Sequence, residues 1–277
     1  MNVEPMPQSR IFPLVVYHAL RECVRRSQYQ GWRGGWNCFR AHALNFRIRL
    51  ANRFFKEKRF ACPCCGWTGW SYRILDVGLS IVHGVECPQC KSQERHRMLF
   101  LFFSRHLPEF MKSSTSRILH LSPEKILVDL LSRESEAQIM SMDIDPLGIA
   151  HAEGACFASD LMALSVKNEV FDAVIGIHVL EHVLDDRKSL AEIYRILRPG
   201  GAAFLMVPFG PIPETCEWGE PNVLLFGHVR DYSIHDFAKR LNLFEVKEIT
   251  PEQIVSGEEL QRYSIPSNQI IYLCTKK

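Results

Sequence analysis

Long apolar runs are missing from this chain of 277 residues. The two longest candidates are IFPLVVYHAL (11–20) and MLFLFF (98–103), and both are far shorter than the roughly 20 residues that a membrane-spanning helix needs. The N-terminus also lacks the charged region, apolar segment and small-residue cleavage site of a secretory signal. We therefore predict no transmembrane segment and a cytoplasmic location.

Acidic residues are scarce in the first 60 positions. This segment holds 12 Lys or Arg and 3 Asp or Glu, whereas the rest of the chain holds 21 basic and 28 acidic residues. The net charge of +2 therefore hides a strongly basic N-terminal segment and an acidic remainder. Such a segment favours an anionic partner, which is nucleic acid, an acidic membrane surface or the body of the protein itself.

The basic segment, residues 1–59, is also rich in aromatic side chains. Its glycine-rich stretch GWRGGW (31–36) predicts a break between two helices, at about 12–29 and 37–57. In the second helix, apolar residues recur at near-helical spacing at positions 39, 43, 46, 50 and 54. We interpret this segment as an amphipathic arm whose apolar face packs on the rest of the chain. RNA contact and peripheral membrane contact are the alternatives.

Disulfides are not expected among the ten cysteines, because a reducing compartment keeps thiols reduced. Two short pairs instead have metal-binding spacing, CPCCG (62–66) and CPQC (87–90), with 21 residues between the pairs. The predicted ligands of a structural zinc ion are Cys62, Cys65, Cys87 and Cys90. Cys64 is then a spare thiol, and His83 is a less favoured ligand. Four thiolates leave no open coordination position, so the metal would stabilise the fold without taking part in chemistry.

These cysteine pairs predict a zinc-ribbon-like module over residues 60–112. The module ends in a predicted helix, SQERHRMLFLFFSRHL (92–107), which is polar at its start and apolar later. We interpret Arg95, His96 and Arg97 as solvated residues of this helix, with contact to an anion as the alternative.

Residues 113–277 alternate apolar strands with helical patterns. Strands are predicted at 117–122, 137–143, 171–177, 201–208, 244–249 and 269–275, and helices at 124–134, 186–197 and 235–242. The alternation predicts an α/β fold with a mostly parallel sheet and helices on both faces. No helix is evident between the last two strands, so we expect them to pair antiparallel.

The stretch FDAVIGIHVLEHVLDDRKSLAEIYRILRPGGAAFLMVP (171–208) contains a Phe-Asp strand, a Leu-Glu-His corner, an R-x-L-x-P-G-G turn and a strand that ends near proline. This order resembles class I S-adenosylmethionine-dependent methyltransferases of type 11. The resemblance implies a Rossmann-like sheet of seven strands, one of them antiparallel, with the cofactor outside the carboxyl ends of the strands. It makes residues 113–277 a methyltransferase domain behind the zinc-ribbon-like module and the basic helical arm.

The resemblance also implies roles for individual acidic residues. In such enzymes a carboxylate at the end of the second strand accepts hydrogen bonds from the ribose hydroxyls, and SMDIDP (141–146) offers Asp143 first and Asp145 second. An aspartate after the third strand meets the adenine amino group, and this chain offers Asp160, followed by Leu161.

Glycine is absent from the loop in which the resembled family carries G-x-G-x-G. This chain has HLSPEK (120–125) there. We predict that Ser122 and Glu124 still contact S-adenosylmethionine, because a Ser-Pro turn can aim the next helix N-terminus at the cofactor carboxylate and Glu124 can bond the ammonium. The alternative is a non-catalytic, zinc-stabilised binding protein on a degenerate methyltransferase fold.

The corner HVLEH (178–182) matches the family segment that lines the methionine end of the cofactor, which makes His178 and Glu181 predicted cofactor contacts. Three interpretations stay open. Glu181 bonds nearby backbone while His182 packs at the crevice; or His178 or His182 is the general base for a substrate hydroxyl; or residues 178, 181 and 182 hold a divalent cation. The last spacing resembles the E-x-x-E-H cluster of quinone-biosynthesis O-methyltransferases, with a histidine in place of the first glutamate.

The long segment 208–233 follows the fifth strand, where loops usually face substrate. Its candidate substrate contacts are Glu214, Arg230 and Tyr232, and His228 is a further candidate catalytic residue. His228 and Arg230 suit an anionic or hydroxyl-rich substrate. Surface residues with local hydrogen bonds are the alternative.

These patterns together predict a methyltransferase that acts on a small-molecule or glycan- or lipid-linked acceptor. An N-P-P-Y-like motif of amino-group methylation is absent, which favours an oxygen or carbon acceptor. RNA methylation is the second prediction. A zinc module before a class I domain resembles a group of ribosomal RNA guanine methyltransferases, and the basic arm could hold phosphates.

Overall fold

The computed structural model describes residues 8–77, 81–106, 111, 113–149, 154–222 and 226–277, with side chains described from residue 19 onward. The chain divides into two compact units. The first takes in the chain up to Ala61 together with Trp67–Lys91, and the second takes in Cys62–Gly66 and Ser92–Lys277. The predicted arm and most of residues 60–91 of the predicted zinc-ribbon-like module thus share one unit. The helix predicted at the end of that module lies in the other unit.

The first unit begins with a long helix, α1 (Gln8–Phe54), which is kinked at Gly31 (φ 68°, ψ 179°). The sequence predicted a break over 31–36, but the chain is helical again from Trp32. One glycine in the left-handed region is enough for the kink. Gly35 serves a different purpose: a Cβ there would lie 1.7 Å from Ser27 Oγ and 2.9 Å from the backbone oxygen of Cys23. The two halves of α1 therefore pack closely through this glycine.

Two short antiparallel ribbons complete the first unit. They are β1 (Phe60–Ala61) with β2 (Thr68–Gly69), and β3 (Arg73–Asp76) with β4 (Ile81–Glu86). Asn45 of α1 exchanges hydrogen bonds of 2.8 and 2.9 Å with the backbone of Ile74. Asn52 likewise bonds the backbone of Trp70 and Ser71. These amides fix one face of α1 on the strands.

The apolar face predicted for the second half of α1 is exposed. Phe39, Phe46, Leu50 and Phe54 are all exposed. The prediction that this face is covered by the rest of the chain is therefore wrong. Helical spacing indicated correctly that these residues share a face, but spacing alone does not say whether anything covers it.

The second unit is an α/β domain. Its helices are α2 (Glu94–His106), α3 (Lys125–Glu134), α4 (Asp186–Ile196), α5 (Phe237–Arg240) and α6 (Gly257–Tyr263). Its strands are β5 (Arg117–Leu121), β6 (Gln138–Asp143), β7 (Ala155–Ala158), β8 (Phe171–Ile177), β9 (Leu197–Met206), β10 (Cys216–Asn222), β11 (His228–Asp231), β12 (Glu245–Ile249) and β13 (Ile271–Thr275).

Seven of these strands form one sheet in the order β12-β13-β9-β8-β5-β6-β7. Strand β13 is antiparallel to both of its neighbours, and the other pairings are parallel. This is the seven-stranded, mostly parallel Rossmann-like sheet that the sequence predicted. The antiparallel pairing of the last two strands is also confirmed, although α6, which the sequence analysis missed, lies between them.

Both faces of the sheet are covered. One face packs α2, α3 and α6 against residues such as Ile118 and Ile175. The opposite face packs α4 and α5 against their neighbours Leu119 and Val174. Consecutive strand residues point to opposite faces, and both are buried here. This explains why β8 is apolar at every position from Ala173 to Ile177.

The segment 208–233 is more regular than predicted. Strands β10 and β11 form an antiparallel pair within it, with an irregular register between Glu217 and Asn222. Helix α5 is shorter than the predicted 235–242. Within the described part of the chain, none of the helices combines the length and the apolar character needed to cross a bilayer.

Candidate functional site

A cavity of about 390 Å³ lies outside the carboxyl ends of the parallel strands. Strand order reverses between the neighbours β5 and β8, and ligands of open α/β sheets bind at such a reversal. The lining combines apolar and polar residues: Leu121, Ser122, Met142, Asp143, Ile144, Ser159, Asp160, Leu161, Met162, His178, Val179, His182, Val183 and Leu184. The cavity therefore includes Ser122, Asp143, Asp160, Leu161, His178 and His182 of the predicted site residues.

Ser122 takes the place of the missing glycine after β5. Its φ is 43°, in the left-handed region that glycine adopts most easily. Its backbone N donates to the carbonyl of Met142 at 2.7 Å, and its Oγ donates to Asp143 Oδ2 at 2.7 Å. The glycine-free loop thus keeps a glycine-like backbone, and these two bonds tie it to the end of β6.

Asp143 and Asp145 have different surroundings. Asp143 lines the cavity, and its Oδ1 accepts a hydrogen bond from the Asp145 backbone at 2.9 Å. Asp145 is exposed, and its Oδ1 accepts from the Leu147 backbone, which makes it a turn residue. Asp160 also lines the cavity while its Oδ1 holds the Met162 backbone at 2.8 Å. Two carboxylates therefore face the cavity from β6 and from the end of β7.

Glu124 forms an ionic group that the sequence analysis did not foresee. Arg95 Nη2 and His96 Nε2 lie 2.5 and 2.7 Å from Glu124 Oε1. Burial opposes ionisation of Glu124, but the hydrogen bond from His96 and the charge of Arg95 outweigh it and hold its pKa well below the usual range. The other carboxylate oxygen is buried and has no hydrogen-bond partner among the described residues.

Arg95 and His96 were interpreted as solvated helix residues, and the structure corrects this. The side chain of His96 is buried, and that of Arg95 is largely buried. Arg97 is also buried and donates to the carbonyl oxygens of Ser92, Tyr263 and Ser264. The polar start of α2 looked solvent-facing because its partners lie far along the chain.

The corner after β8 places a strained histidine beside a buried glutamate. His178 has φ 54°, and its Nδ1 lies 3.5 Å from Glu181 Oε1. Burial and the charge of Arg95 lower the pKa of His178 to about 3. Burial raises the pKa of Glu181 to about 8, and neither of its carboxylate oxygens has a hydrogen-bond partner among the described residues. Non-glycine residues in the left-handed region often mark functional sites.

A second histidine pair stands next to this glutamate. The rings of His182 and His228 are 4.9 Å apart and nearly perpendicular. Glu181, His182 and His228 each offer one ligand atom within 4.8 Å of the others, which is compatible with a metal ion. This group contains Glu181 and His182 of the predicted set 178, 181 and 182, together with His228 and without His178. Burial lowers the pKa of both His182 and His228, which favours neutral rings.

Arg230 and Tyr232 do not have the predicted position of substrate contacts. Both are buried, and Arg230 donates to the carbonyl oxygens of Leu180, Val183 and Leu184. The Tyr232 hydroxyl donates to Asp186 Oδ2 at 2.8 Å. These side chains support the corner from behind, so their predicted substrate role is corrected. Glu214 is exposed, and its role stays a prediction.

The predicted zinc ligands lie on two similar turns. In each turn, the residue after the second cysteine donates its backbone N to the carbonyl of the first: Gly66 to Cys62 at 2.9 Å, and Lys91 to Cys87 at 3.1 Å. Gly66 and Lys91 also share a left-handed φ, of 73° and 65°. The four sulfur atoms of Cys62, Cys65, Cys87 and Cys90 lie within 4.8 Å of one another. This cluster could hold a tetrahedral metal ion.

Part of this chain is similar in sequence to known methyltransferases. Residues 124–205 match the sequence model of a family described as "Methyltransferase domain". A protein of Mycolicibacterium smegmatis described as a probable S-adenosylmethionine-dependent methyltransferase is 28% identical over 118 residues. That match covers 40% of this chain and 41% of the relative, so the two are similar over less than half of either protein.

Solved structures with a similar arrangement include the cyclase SpnF, at 16% identity and a TM-score of 0.49, over 65% of this chain and 80% of that one. A protein of Thermotoga maritima described as a SAM-dependent methyltransferase is 19% identical with a TM-score of 0.45, over 66% of this chain and 92% of that one.

Proposed function

We propose that this protein transfers a methyl group from S-adenosylmethionine to a small-molecule or glycan- or lipid-linked acceptor. The observation that carries the proposal is Asp143. It is the carboxylate at the end of β6, it lines the cavity at the strand-order reversal, and it lies within the segment that matches a methyltransferase family.

The residues around the cavity fit the parts of this cofactor. Asp143 would accept hydrogen bonds from both ribose hydroxyls, and Asp160 with Leu161 would hold the adenine. Glu124 is not among the residues that line the cavity, but one of its carboxylate oxygens has no hydrogen-bond partner among the described residues, which suits the cofactor ammonium. Arg95 stands beside Glu124 and supplies the opposite charge for the cofactor carboxylate. When bound, the cofactor supplies an electrophilic methyl group on a sulfonium.

The acceptor needs a base that can take a proton near neutral pH. Burial lowers the pKa of His182 and of His228, so their rings are neutral and can accept a proton. We propose His182 or His228 as the base for an acceptor hydroxyl, because the pKa of His178, about 3, makes it a much weaker base. A divalent cation on Glu181, His182 and His228 is an alternative way to activate the same hydroxyl.

Two other functions are alternatives to this proposal. RNA methylation is supported by the five arginines and absence of acidic residues between positions 32 and 54 of α1. A binding protein without methyltransferase activity is supported by the glycine-free loop at Ser122. The zinc ion is part of the proposal in every case: the cluster of four cysteines suits zinc as a structural ion.

Calorimetric titration of the zinc-loaded protein with S-adenosylmethionine, and then with S-adenosylhomocysteine, tests the proposal. We expect micromolar binding of both, and a loss of at least about tenfold in affinity for Asp143→Ala, because two charge-assisted hydrogen bonds are removed.

Asp145→Ala is the matched control, since this aspartate only caps the neighbouring turn. Its affinity should stay close to that of the parent. Absence of binding by the folded parent protein would contradict the proposal and favour the binding protein. Equal losses in the two variants would mean that the loop, not the Asp143 carboxylate, determines affinity.

A further inference from the structure

The second half of α1 exposes a continuous apolar face. Its members lie at positions i, i+4, i+7, i+11, i+14, i+18 and i+22, which is one side of a helix. We call this face the aromatic stripe, and its residues are Trp32, Trp36, Phe39, Ala43, Phe46, Leu50 and Phe54. The exposed fractions of its larger members are 72% for Trp32, 54% for Trp36, 50% for Phe46 and 72% for Phe54. With a rise of about 1.5 Å per residue, the stripe is about 33 Å long.

The aromatic stripe lies opposite the side of the helix that packs. Gly35, Cys38 and Ala41 are buried, and Asn45 and Asn52 bond the backbone of the strands. A helix of a globular protein normally puts its apolar side inward and its polar side outward. Here the inward side is small and polar, and the outward side is large and aromatic. An exposed apolar surface of this length marks an interaction site.

Positive charge flanks the aromatic stripe. The helix from Trp32 to Phe54 contains no aspartate or glutamate and five arginines, all of them exposed: Arg33, Arg40, Arg47, Arg49 and Arg53. A basic amphipathic helix with tryptophan and phenylalanine on its apolar side lies well at the interface of an anionic bilayer. Tryptophan prefers the headgroup level, and arginine can bond lipid phosphates from there.

We propose that the aromatic stripe docks the protein on an anionic membrane surface, with α1 lying in the plane of the interface. The described helices include none that could span a bilayer, so the contact would be peripheral. RNA would be attracted by the same arginines and its unpaired bases can stack on the aromatic rings, but it offers no aliphatic surface to cover Leu50 and Ala43. A second copy of this chain would bring two sets of five arginines together, which like-charge repulsion opposes.

Vesicle flotation of the full chain tests this proposal without any cofactor. We expect binding to vesicles of phosphatidylcholine with about one-third phosphatidylglycerol, and weaker binding to phosphatidylcholine alone. Trp36→Ser with Phe46→Ser should lower the partition coefficient on anionic vesicles at least about tenfold, because two large interfacial side chains are lost. Arg40→Ser with Arg47→Ser should lower binding to anionic vesicles and leave binding to neutral vesicles nearly unchanged.

Leu243→Ser is the matched control, an exposed apolar residue outside α1. It should float like the parent. Circular dichroism, zinc content and cofactor affinity of all variants should match the parent, which separates this proposal from the methyltransferase one. A folded parent that stays off anionic vesicles overturns the proposal. So does a dimer in solution that Trp36→Ser with Phe46→Ser dissolves, or binding to RNA that these two substitutions abolish while vesicle binding persists.

Discussion

Two crevice residues hold a backbone conformation that their side chains oppose. Ser122 and His178 follow the neighbouring strands β5 and β8, and both have a positive φ. A non-glycine residue in the left-handed region costs roughly 1–2 kcal/mol. At Ser122 this cost is offset in part by the hydrogen bond to Asp143. The loop therefore keeps the shape that glycine would give it, while its hydroxyl orients the carboxylate.

The contribution of Glu124 to the free energy of unfolding depends on pH. Its pKa is held below the ordinary value of about 4.3 in the folded protein. A carboxylate of this kind stabilises the fold above its unfolded pKa, and the contribution is lost as the pH falls toward the folded pKa. We expect Glu124→Gln to lower the free energy of unfolding by about 1–3 kcal/mol at neutral pH. The difference from the parent should shrink as the pH falls below about 4.3.

Urea unfolding of the cofactor-free protein at neutral and acid pH measures this difference. Glu258→Gln is the control, an exposed glutamate at the start of α6, and it should stay within about 0.5 kcal/mol of the parent. A deficit for Glu124→Gln that is the same at both pH values would show that lost packing, not the ionic group, is responsible.

At the scale of elements, the close packing of the two halves of α1 requires a glycine at position 35. Gly35→Ala would place a Cβ 1.7 Å from Ser27 Oγ and 2.9 Å from the Cys23 carbonyl oxygen. The serine hydroxyl can rotate away, but the backbone oxygen can move only with the helix. We expect a loss of about 1–3 kcal/mol in unfolding free energy, in spite of the better helix propensity of alanine.

Gly257→Ala is the matched control, since a Cβ there meets nothing within 4 Å. It should be neutral or stabilise by up to about 1 kcal/mol. Denaturant unfolding followed by helical circular dichroism compares the two. If both substitutions stabilise equally, the halves of α1 are not packed as closely as the structure indicates.

The elements that could be predicted are those in which local pattern and burial agree. FDAVIGI is apolar except for Asp172 because β8 is covered on both faces, and the β8 prediction matched the observed bounds. Helix α4 begins where Asp185 caps the backbone of Lys188. The β10–β11 pair was missed because β10 is mostly exposed and because neither strand carries a clear alternation of apolar and polar residues.

The candidate site was predictable in part for the same reason. Asp143 ends β6 and His178 follows β8 directly, so their place at the sheet edge follows from the strand pattern. Asp160 lies two residues after β7, a strand that the sequence analysis missed, and only the family resemblance pointed to it. Arg230 and the Glu124–Arg95 pair depend on distant contacts. Arg230 bonds carbonyl oxygens 46 to 50 residues away, and Arg95 lies 29 residues before Glu124. Local periodicity carries no information about such partners.

At the scale of the whole molecule, each of the two units carries one of the two proposed binding surfaces. The second unit holds the crevice with its carboxylates and neutral histidines, and the first holds the aromatic stripe with its arginines. We expect these two surfaces to bind ligands of different chemistry. The chain passes between the units at the cysteine turns, since the unit boundaries fall at 61/62, 66/67 and 91/92.

Zinc should therefore determine whether the region around both turns stays folded. We expect the purified protein to carry about one zinc ion per chain, because four thiolates complete a tetrahedral site. Cys65→Ser should lose the metal and lower the unfolding temperature by several degrees, since binding free energy of a structural zinc is also folding free energy. Metal analysis and thermal unfolding measure both effects.

Cys64→Ser is the control, because this thiol lies in the same turn and outside the cluster of four. Retention of zinc by Cys65→Ser, or an equal loss in Cys64→Ser, would mean that the four sulfur atoms meet for a reason other than a metal.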